Sequence, residues 1–115
     1  LRYHGMAPLV SHIYELGLVE AIAIPQTECF AGALQFAQSE GIVPAPEPTH
    51  AIAAAIREAL LCKETGEEKT ILTALCGHGH LDLASYDKYM SGEMVDLDLS
   101  DDVIEAAMKG VPVIG

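Results

Sequence analysis

TILTALCGHGHLDLASY, residues 70–86, is the stretch on which the fold turns. From Thr70 to Leu75 it is almost continuously apolar and rich in β-branched residues, the pattern of a strand covered on both faces. It stops abruptly at Cys76-Gly77-His78-Gly79-His80. Open sheets bind ligands at the carboxyl ends of their strands, and glycines there remove the side chains that would hold a ligand away from the backbone. An organic-ligand site at this strand end is the first expectation.

Two other readings compete with it. Cys76, His78 and His80 offer soft sulfur and imidazole, a zinc-compatible set. Three ligands so close in sequence cannot surround one ion without a strained loop, and no second cluster supplies a fourth, so no metal is expected. The bland alternative makes the histidines solvent-facing and Cys76 a small buried hydrophobe. Cys76 as a nucleophile needs a neighbouring base, and the local patterns of papain-like and caspase thiol enzymes are absent. The chain has no P-loop, no GxGxxG and no Ser-His-Asp arrangement.

Outward from this loop, helices alternate with short apolar runs. Leu9, Ile13 and Leu16 at helical spacing predict a helix over Ala7–Leu16, with Pro8 in its first turn and Gly17 as its stop. Leu18–Ile24 reads as a strand closed by Pro25. Thr27 is the expected N-cap of a helix carrying the stripe Phe30, Leu34 and Ala37 and ending at Gly41. Ile42–Pro46 is too proline-rich for a central strand and reads as a connection, after which Glu47 or Thr49 caps an alanine-rich helix over His50–Lys63. A short helix is expected over Leu81–Met90, an alternating run over Val95–Leu99, and a last helix from the Ser100 cap to Gly110. The fold class is therefore α/β, with helices packed on a small sheet so thin that a further covering surface is expected.

Composition narrows the function classes. The 115 residues suffice for one domain or less, and their net charge of −11 argues against nucleic acid or an anionic membrane as partner. Cys29, Cys62 and Cys76 are odd in number and widely spaced. With no signal peptide and no apolar span, they point to a reducing, cytoplasmic compartment without disulfides. The sequence begins at Leu1 rather than methionine and is already patterned as the approach to a helix, so a piece of something larger is expected.

Together, TECFAGALQFAQSEGIVPAPEPTHAIAAAIREAL and TILTALCGHGHLDLASYDKYMSGE closely resemble the C-terminal part of tryptophan synthase beta chains, above all their second class. LRYHGMAPLVS at residues 1–11 resembles the same class. The resemblance runs from Leu1 to about Glu93, which implies a catalytic-domain fragment over residues 1–93 followed by a tail with a short helix over 94–115. It implies a pyridoxal-phosphate enzyme of fold type II with a mostly parallel sheet. It also implies a lyase of tryptophan biosynthesis that joins L-serine to indole, acts as a homodimer, and leaves dependence on the alpha subunit open.

By the same resemblance, Cys76 stands where the family usually has a serine whose hydroxyl meets the pyridine nitrogen of the cofactor. A thiol can donate weakly in that place, whereas a thiolate would accept from a protonated ring. Gly77 and Gly79 let the loop approach the ring, and Glu47 matches a glutamate beside the cofactor that influences its electronics. Glu40, Gly41 and His50 match at structural or supporting positions, and His78 replaces an arginine of the classical beta chains. The family's Schiff-base lysine and phosphate loop have no counterpart here, since Lys63, Lys69, Lys88 and Lys109 lie outside any matching motif. The chain alone is thus expected to be inactive. The alternative is a free-standing, non-catalytic ligand-binding or interaction domain derived from that fold.

Overall fold

Two long helices packed on each other carry the structure. The computed structural model describes residues 6–97 and 100–110. Helices α1 (Pro8–Glu15), α2 (Gln26–Glu40), α3 (Pro46–Thr65), α4 (Leu83–Met90) and α5 (Asp101–Met108) follow one another, with a 3₁₀ turn at Gly79–Leu81 before α4. Gly32 lies where α2 meets α3. A Cβ there would sit 3.4 Å from Ile56 Cδ1 and 3.6 Å from Ile52 Cγ2, so the bare backbone is what lets the helices close up. Arg57 of α3 ties the crossing by donating Nε–H and Nη2–H to the two carboxylate oxygens of Glu28 on α2, each at 2.5 Å. That hydrogen-bonded guanidinium holds the Glu28 carboxyl below its ordinary range.

The helix ends show which sequence signals act locally and which do not. α2 stops at Gly41 in the left-handed conformation (φ 70°), as its glycine predicts. α3 begins at Pro46, four residues earlier than the expected His50. Pro46 and Pro48 both fall in its first turn, where a missing N–H leaves no intrahelical bond unmade. Neither Glu47 nor Thr49 caps it: Ala45 occupies the N-cap, and the buried Thr49 hydroxyl donates to the Pro46 carbonyl at 2.5 Å. Thr27 is likewise not the N-cap of α2. It sits inside the first turn and donates both its N–H and its hydroxyl to the carboxylate of Asp96, while Gln26 Nε2 donates to the Val95 carbonyl. The cap thus comes from 69 residues away.

Where the returning segment crosses, the core forms. Phe30, Ala33 and Tyr86 are buried, with Leu34, Val43, Tyr89 and Met94 packed around them. Tyr86 meets Phe30 edge-on with ring centres 5.0 Å apart, and Tyr89 stacks on the same ring at 5.8 Å.

The expected sheet is not formed among the described residues. Leu18–Ile24 and Thr70–Leu75 have no ladder, and the single β-type pairing is an isolated antiparallel bridge between Pro44 and His78. A strand needs a neighbour for its N–H and C=O groups, and neither run has one here. Leu72 is 94% exposed and Leu18 71%. Helices α1 and α5 bury none of their residues. The radius of gyration, 16.8 Å, exceeds the roughly 13 Å of a compact chain of this length. Of the Val95–Leu99 alternation, residues 98 and 99 lie outside the described residues, as do 1–5 of the expected first segment and 111–115 of the tail. No helix among the described residues is long and apolar enough to cross a membrane.

The Asp96 cap makes a pH prediction. Its hydrogen bonds from Thr27 hold the carboxyl below its ordinary value, so the cap stabilises the fold above the usual carboxylate range and is lost as pH falls through the depressed value. Thermal melts followed by circular dichroism should show stability declining with acid between about pH 5 and 3. Asp96→Asn should lower stability at neutral pH and flatten that decline.

Candidate functional site

The bridge at Pro44 and His78 joins the two motifs that the sequence singles out. Its flanking hydrogen bonds run from Ala45 N–H to the Gly77 carbonyl (3.3 Å) and from Gly79 N–H to the Val43 carbonyl (2.8 Å). In this register Pro44 and His78 form the pair that exchanges no hydrogen bonds of its own, so the proline's missing N–H costs nothing. The spare Pro44 carbonyl accepts from the buried Tyr86 hydroxyl at 2.5 Å. Burial, and secondarily the charge of Asp82, push the Tyr86 hydroxyl up to about 12, so it remains a donor throughout the physiological range.

The glycines of the loop divide their work. Gly79 is buried, and a Cβ on it would lie 2.5 Å from the Pro44 carbonyl oxygen, 2.9 Å from Val43 Cγ1 and 3.1 Å from Tyr86 Cε2. Its bareness serves the packing of chain on chain. Gly77 turns the chain with φ 96°, and a Cβ there would lie 3.2 Å from Ala45 Cβ. It is on the surface, as is Cys76 before it. Glu47 is also exposed, in the first turn of α3, where a carboxylate sits favourably at the positive end of the helix. The bridge therefore brings the Cys76-Gly77 segment to the start of the helix that carries Glu47.

The two histidines are occupied with local contacts. His78 Nδ1 accepts the His80 N–H at 3.3 Å, and the rings lie 4.7 Å apart. No group of three or more His, Cys, Asp or Glu side chains among the described residues is arranged to hold a metal ion. His50 Nδ1 lies 3.2 Å from the Glu47 carbonyl, tying that imidazole to the first turn of α3.

A cleft of about 240 Å³ opens beside the first turns of α2 and α3. Cys29, Thr49, His50, Asp82, Ser85 and Met94 are among its lining residues, whereas Cys76, Gly77 and Glu47 are not. Cys29 was absent from the sequence-based candidates. The residue is 1% exposed and its thiol is pushed up by burial, against the weaker opposing hydrogen bond with Thr49, so it stays protonated and packs as a small hydrophobe. The i, i+4 spacing of Cys29 and Ala33, both buried, is the signal that places it on the inner face.

No family model matches the chain. Among curated proteins it is 64% identical over 96 residues, 84% of this chain, to tryptophan synthase beta chain 2 of Aquifex aeolicus. It is 60% identical over 95 residues (83% of this chain) to tryptophan synthase beta chain 2 of Methanosarcina acetivorans. Identity to the tryptophan synthase beta chain of Thermococcus onnurineus is 50% over 98 residues (85% of this chain). The chain spans 22% of the length of each of these relatives. The resemblance carried by the EGIVPAPEPTHA and CGHGH motifs is thereby borne out.

The close approach at Gly79 is directly testable. Gly79→Ala forces a methyl onto backbone rather than onto a movable side chain, and should destabilise the chain by about 1–3 kcal/mol in urea unfolding.

Proposed function

Because the chain is homologous to a part of the tryptophan synthase beta chains, we propose that it forms one wall of the cofactor pocket in a pyridoxal-phosphate lyase joining L-serine and indole. On this reading residues 1–93 belong to the C-terminal part of the catalytic domain and 94–115 form a tail, tied back to α2 by Asp96. The enzyme as a whole is a homodimer of fold type II, and the runs Leu18–Ile24 and Thr70–Leu75 become strands of its sheet. The observation that carries the proposal is the bridge that sets Cys76-Gly77 beside Ala45 and the helix start bearing Glu47.

The donor set fits such a group. Cys76 offers a weakly donating thiol on an open surface, Gly77 leaves the approach to it clear of side chains, and Glu47 adds one carboxylate nearby in the chain fold. When bound, pyridoxal phosphate supplies an electron sink for loss of the serine hydroxyl and addition of the indole carbon. The Cys76 thiol would hold the ring nitrogen as a weak donor, without the charge by which a carboxylate would keep a proton there, and this would favour β-replacement over transamination or racemisation. Glu47, in the first turn of α3, would orient the ring and bias its electronics. Gly79 and Pro44 hold the backbone that bears these groups.

In the full-length enzyme, Cys76→Ser should sustain serine-dependent tryptophan formation at a comparable rate. Complete loss of activity would show that the thiol does something a hydroxyl cannot. Glu47→Ala should retain bound cofactor yet slow turnover by about one to two orders of magnitude, the usual scale for a positioned polar group. Unchanged turnover would return Glu47 to a purely helix-stabilising role. The purified 115-residue chain should bind no stoichiometric pyridoxal phosphate, and a retained, borohydride-fixed equivalent on one lysine would overturn that expectation.

A further inference from the structure

We propose that Tyr86 is the positioning residue of this site, its hydroxyl fixing the 43–45 segment against the 77–79 segment and so setting where Cys76 and Glu47 stand relative to each other. The inference rests on reading those two side chains as cofactor contacts.

Four observations converge on it. The Tyr86 hydroxyl donates to the carbonyl of Pro44, the very residue that pairs with His78. The pairing is one bridge long, with two backbone hydrogen bonds, so a third bond into it is a large fraction of what holds it. The Tyr86 ring also lies close to the loop: a Cβ on Gly79 would be 3.1 Å from its Cε2. Finally, the ring is 3% exposed and packed edge-on against Phe30 of α2, so the hydroxyl is aimed from a rigid base. One side chain thus lies against both segments of the junction and anchors them to the core. Tyr89, stacked on Phe30, makes no such bond to the junction.

Tyr86→Phe keeps the ring and deletes the donor. In the purified chain, amide hydrogen exchange at Ala45 and Gly79, whose N–H groups make the two bridge bonds, should accelerate by about tenfold. The Ala53 amide within α3 should keep its protection, and Tyr89→Phe should leave all three amides unchanged. Undiminished protection at Ala45 and Gly79 in Tyr86→Phe overturns the proposal. So does equal acceleration in Tyr89→Phe, and so does a general loss of protection that includes Ala53, which would make the hydroxyl a stabiliser of the whole fold. In the full-length enzyme, Tyr86→Phe should shift the absorbance maximum of bound pyridoxal phosphate and lower kcat while leaving KM for L-serine nearly unchanged. If the two amides accelerate while spectrum and kcat stay fixed, the clamp stands and the assignment of Cys76 and Glu47 to the cofactor fails.

Discussion

Everything near the candidate site depends on a proline carbonyl. Pro44 has no N–H to give, so it can join another strand only as the member of a pair that exchanges no bonds, and it does so opposite His78. Its carbonyl is then left pointing into the core, where an unsatisfied acceptor is costly. Tyr86 meets that need, and Phe30 packs edge-on against the tyrosine in the same core cluster. Gly79 is obliged to be glycine because the same carbonyl occupies the space a side chain would take. The constraint propagates from one carbonyl to a hydroxyl, an aromatic cluster and a bare backbone position.

Much of the helical frame was legible in the sequence because its signals are local. Gly17 and Gly41 end helices as their lack of a Cβ allows, and both adopt positive φ. The alanine-rich pattern from His50 onward is helical, but the helix begins at Pro46, because both Pro46 and Pro48 are compatible with a first turn. What was illegible is long-range. Thr27 carries every local mark of an N-cap, yet its hydroxyl is spent on Asp96, a residue no local pattern links to it. The apolar, β-branched runs at Leu18–Ile24 and Thr70–Leu75 have strand composition, but composition does not provide a neighbouring strand, and none is present among the described residues.

For the site, the sequence singled out two segments and said nothing of what joins them. The motifs EGIVPAPEPTHA and CGHGH were visible as such, and similarity to tryptophan synthase beta chains at 64% identity supports their significance. The register of Pro44 on His78 required the fold. So did the division of labour between the two glycines, since Gly77 and Gly79 look equivalent in the sequence and differ completely in surroundings. Tyr86 and Cys29 escaped notice for the reason that their roles come from burial, which a short motif does not encode.

The exposed run at residues 70–75 has a colloidal consequence. Ile71, Leu72 and Leu75 present an uncharged apolar stretch whose backbone groups lack a ladder, which is a template for pairing between molecules. Seventeen acidic against six basic residues oppose that encounter by mutual repulsion over about 10 Å at moderate salt. The isolated chain is therefore kept apart by a force that salt removes, and its tendency to self-associate should be governed by ionic strength more than by temperature.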